Sequence, residues 1–158
     1  MDKEEIEVRV GLQLKMQLKM QQFCAIQERS HYEVRNKMLQ MGVFEQEAEA
    51  IIAKLIEDNF LNEQRFATAF TGGKFRIKKW GRMKIKAELK AHRVSDYSIK
   101  IAFSELDETE YLKTLREVLE KKAKYVKSNS ERERNFKLAQ YAISRGFESE
   151  LIWGILGT

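Results

Sequence analysis

The sequence predicts an all-α fold of tandem helical repeats, and three observations lead to that prediction. Proline is absent from the 158 residues, only eight glycines occur, and helix formers such as Glu, Lys, Gln, Leu, Met and Ala dominate. Apolar residues recur three and four positions apart, which is the spacing of one helix face. A similar apolar pattern returns three times, centred on Val43, Val94 and Phe147, at intervals of 51 and 53 residues. We therefore expect three tandem units.

Each unit contains two amphipathic helices joined by a tight turn. Apolar residues lie nine and five positions before each centre, and five, eight and nine positions after it. Most of these offsets differ by three or four residues, so they describe one buried face on each of two helices. The residues concerned are Val34, Met38, Ala48, Ile51 and Ile52, then Ile85, Leu89, Ile99, Ala102 and Phe103, then Leu138, Ala142, Ile152, Ile155 and Leu156.

Capping residues place the ends of these helices. Ser30 and Ser130 each stand three residues before a glutamate, Glu33 and Glu133, which is the form of a capping box. Gly81 occupies the matching place in the middle unit. The residue before each centre is where a helix has to stop, and glycine is favoured there in the left-handed conformation. This stop position is occupied by Gly42, Arg93 and Gly146. Because the middle repeat has an arginine where the other two have glycine, the sequence does not fix the relative orientation of the repeats.

A further helix precedes each pair, so that every unit has three. The first of these helices is ambiguous, because the apolar residues from Ile6 to Met20 alternate with polar residues or glycine as in a strand. The β-branched residues stop at Val10, however, and good helix formers follow. We interpret residues 1–11 as extended or disordered. The predicted repeats then cover residues 12–60, 61–107 and 108–158.

The helix expected at residues 62–80 carries an apolar stripe. Its members step by four and three residues, which predicts a continuous buried face. They are Phe66, Phe70, Gly73, Ile77 and Trp80. Phe75 lies off this stripe, and we expect it to be an exposed aromatic residue.

Composition and motifs exclude several classes of protein. The acidic N-terminus lacks the apolar core of a signal peptide, and no apolar stretch approaches the ~20 residues of a membrane span. The single cysteine, Cys24, excludes an internal disulfide and suits a reducing compartment. The only histidines, His31 and His92, belong to no metal-binding or catalytic motif, and no phosphate-binding glycine loop occurs. We expect a cytoplasmic protein that is not an enzyme and has no metal site and no cofactor.

Positive charge is concentrated in the middle repeat. Between Lys74 and Arg93 there are nine Lys or Arg residues and one acid, Glu88, whereas the whole chain carries only +5. Solvated helix faces usually mix signs, and Glu88 alone does not balance the cations of this run. A concentrated positive field attracts polyanions and speeds the encounter with them. The residues that we expect to contact a partner are Arg65, Lys74, Phe75, Arg76, Lys78, Lys79, Arg82, Lys86, Lys90 and Arg93.

Three stretches of the chain resemble the RecX regulatory family. The most characteristic part is residues 59–67 (NFLNEQRFA) with 74–85 (KFRIKKWGRMKI) and Glu88-Leu89. Residues 24–30 (CAIQERS) and 33–39 (EVRNKML) are similar to its first repeat, and residues 141–147 (YAISRGF) are similar to its third. The likeness covers about residues 18–158. It implies a monomeric regulator of recombination, DNA repair and the SOS response that binds RecA recombinase and restrains its nucleoprotein filament. It also implies an elongated, curved array of three three-helix repeats.

Two hypotheses therefore stand side by side. In the first, the chain is a non-catalytic regulator that docks onto a RecA filament through its central cations. In the second, it binds single- or double-stranded DNA directly and reads it with helix-turn-helix pairs. Groove reading needs Arg, Asn or Gln on the recognition helix. The third helices, expected at residues 44–57 and 95–106, are acidic or nearly neutral, which favours the first hypothesis. Whether the cations would contact protein or phosphate is open.

Overall fold

The computed structural model describes residues 1–157 of the chain. That part of the chain folds into nine α-helices and contains no strand, which confirms the all-α prediction. The helices are α1 (Lys3–Ile26), α2 (His31–Gln40), α3 (Glu45–Glu57), α4 (Glu63–Lys78), α5 (Arg82–Ala91), α6 (Asp96–Ser104), α7 (Glu108–Ala123), α8 (Glu131–Ser144) and α9 (Ser149–Leu156).

The prediction of an extended or disordered N-terminus is wrong, because α1 already begins at Lys3. A capping box starts the helix: the Glu5 N–H donates to Asp2 Oδ1 at 2.8 Å, and the Asp2 N–H donates to Glu5 Oε2 at 3.2 Å. Two backbone donors that an isolated helix end would leave free are thus satisfied. On a helix, the alternating apolar residues are distributed around the axis, and those up to Leu14 remain exposed.

The described chain forms two compact units. The first comprises Met1–Ala67 and the short turn His92–Val94, and the second comprises Thr68–Ala91 and the chain from Ser95 onward. The division passes through the second repeat, which contributes helix α5 to one unit and the turn after it to the other.

The core of the first unit is built from α1, α2, α3 and the segment after α3. The predicted face residues of α2 and α3 are buried there, together with the last turns of α1. Ser30 forms the predicted capping box with Glu33, since each side chain accepts the backbone N–H of the other residue. The buried core residues are Met20, Cys24, Val34, Met38, Ala48, Ile51, Ile52, Leu55 and Leu61.

The core of the second unit has three aromatic rings in contact. The Phe75 ring stacks on the Tyr111 ring with centroids 5.6 Å apart, and Tyr111 meets Phe147 at 5.3 Å. Ile85 and Leu89 are fully buried, as the helical spacing predicts. This arrangement brings α4, α5, α7 and the turn before α9 together.

The predicted apolar stripe of α4 is wrong toward its C-terminal end. Phe75 is buried with 2 % exposure, so it is not the exposed aromatic contact expected from the sequence, and Ile77 is 78 % exposed. A row of buried residues four apart, Ala67, Thr71 and Phe75, runs along the helix, and Phe66 and Gly72 are buried beside it. The core face follows this row, and Phe75 turns inward because it packs against Tyr111.

The turns after the helices adopt the left-handed conformation. Gly42 has a φ of 85° and Gly146 a φ of 98°, as the sequence predicts for these stop positions. Arg93 takes the same conformation with a φ of 60°, so the arginine does not change the turn. Lys79, at the end of α4, has a φ of 58°. A side chain in this conformation costs about 1–2 kcal/mol relative to the right-handed one.

Candidate partner-binding surface

The basic run from Lys74 to Arg93 falls on α4, α5 and the turns that follow them. The structure places its cations in different surroundings. One is enclosed by acids, two flank a tryptophan, three form an exposed group at the end of α4, and two lie on the exposed side of α5. The last, Arg93, belongs to the other compact unit.

Arg82 is the enclosed cation, and its guanidinium is engaged within the second unit. The guanidinium makes ion pairs with Glu148, at 2.6 Å, and with Glu108, and it lies 3.8 Å from the centre of the Tyr111 ring. Burial acts to lower the pKa of Arg82, but the hydrogen bond and charge of Glu148 outweigh it and the pKa is raised. The expectation that Arg82 contacts a partner is therefore corrected to a structural role within the second unit.

The N-terminus of α5 is capped by the third repeat. The Gly81 N–H donates to the Arg145 carbonyl at 2.8 Å, and the Met83 N–H donates to the Gly146 carbonyl at 2.9 Å. Between them, the Arg82 N–H donates to the Tyr111 hydroxyl at 2.9 Å. Tyr111 in turn donates to Glu148, and burial together with this hydrogen bond raises the pKa of the tyrosine.

Gly81 permits this close approach. A Cβ atom at position 81 would lie 2.5 Å from the backbone nitrogen of Phe147 and closer still to the Gly146 carbonyl. These neighbours are backbone atoms, which cannot rotate away. The turn after α4 is therefore held firmly against the turn between α8 and α9.

Trp80 lies between two lysines. Lys74 Nζ is 5.0 Å and Lys84 Nζ 4.4 Å from the centre of the indole ring, which are cation–π distances. Trp80 is half-buried. Lys84 was not among the residues predicted for the surface, although it lies within the basic run.

The end of α4 carries the exposed group, which we call the α4 terminus and define as Arg76, Ile77, Lys78 and Lys79. All four side chains are exposed. Within residues 1–157, none of its three cations pairs with a carboxylate. Ile77 was predicted to be in the core, so the sequence missed an aliphatic side chain in the middle of this basic surface. The i, i+4 row from Ala67 through Thr71 to Phe75 would have revealed the true core face.

Lys86 and Lys90 project from the exposed side of α5. Lys90 pairs with Asp96, and its hydrogen bond and charge lower the pKa of that carboxyl, with a smaller effect from Lys86. Both partners are exposed, so the pair contributes little to stability. The positive charge of α5 is thus partly offset, and that of the α4 terminus is not.

Two of the predicted surface residues, Arg65 and Arg93, lie in the first unit and are engaged there. Arg65 Nε donates to Glu28 Oε1 at 2.8 Å, and its guanidinium also donates to Asn59. The Arg93 guanidinium lies 4.7 Å from the centre of the Tyr32 ring. The structure therefore does not place either of them in the exposed group at the end of α4.

No cofactor-binding chemistry is evident in the part of the chain described. Among residues 1–157, no group of three His, Cys, Asp or Glu side chains is placed to hold a metal ion. Burial raises the pKa of the Cys24 thiol, which disfavours the reactive thiolate. Over the same residues, no helix is both long and apolar enough to cross a membrane.

Comparison with known proteins identifies the family. Residues 62–102 match the second three-helix domain of RecX, and residues 108–156 match its third three-helix domain. A protein named Regulatory protein RecX from Prosthecochloris aestuarii is 30 % identical over 130 residues, which are 82 % of this chain and 83 % of that protein. A protein of the same name from Lactobacillus johnsonii is 27 % identical over 82 % of this chain but only 48 % of its own length.

Solved structures show the same fold. The crystal structure of a regulatory protein RecX matches with a TM-score of 0.86 at 18 % identity and covers 99 % of this chain and 79 % of that chain. The crystal structure of RecX from Lactobacillus salivarius matches with a TM-score of 0.81 at 22 % identity, over 91 % of this chain and 94 % of that one. The tandem three-helix architecture is thereby confirmed, and this chain belongs to the RecX family of regulatory proteins.

Proposed function

We propose that this chain is a non-catalytic cytoplasmic regulator that binds the RecA nucleoprotein filament and modulates its ATP hydrolysis and strand exchange. The observation that carries the proposal is the α4 terminus, an exposed group of three cations that pair with no carboxylate among residues 1–157, on a chain of the RecX family. We further propose that the chain is organised as repeats of residues 3–60, 61–107 and 108–157. The first repeat is taken to begin at residue 3 because helix α1 begins there.

The composition of the α4 terminus suits a filament better than naked DNA. Its cations can contact either phosphates or acidic side chains, and a filament offers both. Ile77, which is 78 % exposed between two of them, gains nothing from a phosphate, whereas it can be buried against a protein. A partner that combines acidic and apolar groups therefore matches this surface.

The third helix of the first repeat, α3, also argues against groove reading. Helix α3 begins with Glu45 and Glu47, and it has a single lysine, Lys54, in its last turn. An acidic helix N-terminus would be repelled by phosphates on entering the major groove. This supports the filament as the partner rather than duplex DNA.

The affinity expected from the α4 terminus can be estimated. Each exposed cation that meets a carboxylate or phosphate contributes roughly 0.2–1 kcal/mol, and reversal of its charge replaces that attraction by a repulsion of similar size. Reversing three charges should therefore weaken binding by at least about tenfold. Binding should also weaken as salt rises, because these side chains are exposed.

The test is a variant with Arg76→Glu, Lys78→Glu and Lys79→Glu, assayed for inhibition of RecA ATP hydrolysis on single-stranded DNA. We expect the half-inhibitory concentration to rise at least about tenfold with an unchanged circular dichroism spectrum. Arg82 is left out of this variant because a glutamate there would face Glu108 and Glu148 and unfold the second unit.

The matched control reverses three exposed cations on α7, with Lys113→Glu, Arg116→Glu and Lys121→Glu, so that the net charge changes equally. Inhibition by this control should be close to that of the original chain. If both variants lose inhibition equally, overall charge acts rather than the α4 terminus. If the chain binds naked DNA with steep salt dependence and has no effect on RecA, it is a general nucleic-acid-binding protein and the proposal is refuted.

A further inference from the structure

Two half-buried lysines of the second unit share one aromatic ring and have no acid beside them. Lys74 Nζ lies 5.0 Å and Lys84 Nζ 4.4 Å from the centre of the Trp80 indole. In the part of the chain that the structure describes, neither ammonium group pairs with a carboxylate. Because both distances end at the same point, the two charges are at most about 9 Å apart and repel each other. We call these three residues the Trp80 cluster.

The indole explains where the two lysines lie, but it does not compensate their charge. An aromatic face attracts a cation because it is the negative part of the quadrupole of the ring, and the ring as a whole is neutral. Charges in a half-buried position are screened less by salt than those of fully exposed lysines. An anion that enters beside the ring is therefore attracted by both ammonium groups.

The backbone fixes both lysines relative to Trp80. The Trp80 N–H donates to the Lys74 carbonyl at 3.2 Å, so the tryptophan is held at the turn that ends α4. On α5, Lys84 packs against Gly146, where a Cβ would lie 2.4 Å from Lys84 Cβ and 2.7 Å from its backbone nitrogen. Side chains that are already ordered lose less conformational freedom when a ligand binds. This pair is therefore a better anion site than two freely moving lysines.

The face of α4 that carries Lys74 continues into the α4 terminus. Residues three and four apart share a helix face, so Ile77 and Lys78 follow Lys74 on the same side. One turn earlier on this face, the Phe70 ring centre lies 5.3 Å from Lys74 Nζ. Ile77 is 78 % exposed. The face therefore presents an exposed aliphatic side chain about one turn from the Trp80 cluster.

These features favour a protein ligand over single-stranded nucleic acid. A base gains affinity by stacking on an open aromatic face, but both ammonium groups of the cluster already lie over the Trp80 ring. Phosphates would contact the cations and leave Ile77 exposed to water. A carboxylate next to an apolar side chain matches both parts of the surface.

We propose that the Trp80 cluster binds a carboxylate of an acidic protein segment, and that an apolar side chain of the same segment covers Ile77. Trp80 is a positioning residue, which holds the two ammonium groups where the carboxylate enters. The inference deepens the proposed function and rests on it, since it states which chemistry the partner presents to this face.

Binding of labelled probes to the full chain, measured by fluorescence anisotropy without RecA, tests the ligand. The probes are a hexapeptide of four glutamates and two leucines, the same peptide with glutamines in place of the glutamates, and a pentathymidylate with four phosphates. At low salt, the acidic peptide should bind at least about tenfold more tightly than the glutamine peptide, and also more tightly than pentathymidylate. An acidic peptide that binds no more tightly than either of the other probes overturns the proposal.

Substitution of the two lysines locates the site. Lys74→Gln and Lys84→Gln should each weaken binding of the acidic peptide about two- to fivefold, and together about tenfold, with an unchanged circular dichroism spectrum. The matched control, Lys100→Gln with Lys113→Gln, removes two exposed lysines of α6 and α7 and should leave the affinity unchanged. Equal losses in the two double variants would show a response to overall charge and would overturn the proposal.

Two variants of Trp80 separate positioning from charge, because neither alters a lysine. Trp80→Phe keeps an aromatic face and should retain most of the affinity for the acidic peptide, whereas Trp80→Leu should weaken binding about twofold or more. With Trp153→Phe, Trp80 is the only tryptophan of the chain, and its emission should change when the acidic peptide is added. Equal affinities of the Phe and Leu variants, or a Trp80 emission that does not respond, overturn the proposal.

The outcome is separable from that of the proposed function. A chain that inhibits RecA but does not bind the acidic peptide refutes the Trp80 cluster as a carboxylate site and leaves the proposed function standing. A chain that binds the peptide through Lys74 and Lys84 but has no effect on RecA supports this ligand class and refutes the proposed function.

Discussion

Replacement of Lys79 by glycine should stabilise the fold while it weakens the proposed function. Lys79 has a φ of 58°, a conformation in which an L-residue is disfavoured and glycine is not. The bonds that hold the turn do not involve the Lys79 side chain: the Lys79 N–H donates to the Phe75 carbonyl at 3.1 Å, the Trp80 N–H donates to the Lys74 carbonyl at 3.2 Å, and the Arg145 guanidinium donates to the Lys78 carbonyl. All three bonds remain in Lys79→Gly.

The expected change in the free energy of unfolding is the sum of opposing contributions. Removal of the disfavoured left-handed conformation of a lysine stabilises the fold by about 1–2 kcal/mol, whereas the greater freedom of glycine in the unfolded chain destabilises it by about 0.5–1 kcal/mol. Loss of a cation near the C-terminus of α4 removes about 0.3 kcal/mol more. The net gain is about 0.5 kcal/mol, which for a chain of this length raises Tm by about 1–2 °C.

Thermal unfolding and RecA inhibition, measured on the same samples, check both halves of this prediction. Lys79→Ala is the matched control, because it removes the charge and keeps the strained backbone, so its Tm should not rise. Both variants should inhibit RecA about two- to fivefold less well, as expected for one exposed cation. A Tm for Lys79→Gly no higher than that of Lys79→Ala would refute the strain, and full inhibition by both would refute the role of this lysine.

Three further predictions follow from the packing. Gly81→Ala should destabilise the second unit by about 1–3 kcal/mol in urea unfolding, because its Cβ would overlap backbone atoms, whereas Gly73→Ala, which meets no atom within 4 Å, should be neutral or stabilising; equal effects would contradict the close approach. Phe75→Ala should lower the free energy of unfolding by about 3–5 kcal/mol, and Ile77→Ala by less than about 0.5 kcal/mol. The reverse order would support the apolar stripe predicted from the sequence. Burial lowers the pKa of His31, so the unfolded chain binds a proton at this histidine more readily than the folded chain does, and stability is lost as pH falls below about 6.5. In His31→Gln, the fall in the urea midpoint between pH 7.5 and pH 5.5 should be smaller. An unchanged fall would contradict the role of His31.

Local rules predicted the repeats and many of their boundaries. The spacing of apolar residues identified the buried faces of α2, α3 and α5, and Ser30 and Gly42 marked a start and a stop that the structure confirms. These features depend on neighbours within a few residues, and such neighbours can be read from a single sequence. The RecX family itself was identified from the resemblance of three stretches of the chain and not from these local rules.

The predictions from the sequence were wrong where residues far away in the sequence determine whether a side chain is buried or paired. Phe75 is buried because Tyr111, 36 positions away, supplies its stacking partner, and nothing near Phe75 indicates this. Arg82 is withdrawn from the basic surface by Glu148, which is 66 residues away. At the N-terminus, the period-2 pattern was misleading because a helix that is largely exposed need not segregate its apolar residues.

The three N–H bonds that start α5 have a consequence for how such a chain could be rearranged. Repeat proteins are often regarded as strings of interchangeable modules that can be gained or lost by duplication or deletion of one cassette. Here the first turn of α5 finds its acceptors on Arg145, Gly146 and Tyr111, all in the next repeat. Truncation after the second repeat would remove these acceptors and the Tyr111 ring that stacks on Phe75, so we expect the second repeat to be less stable without the third.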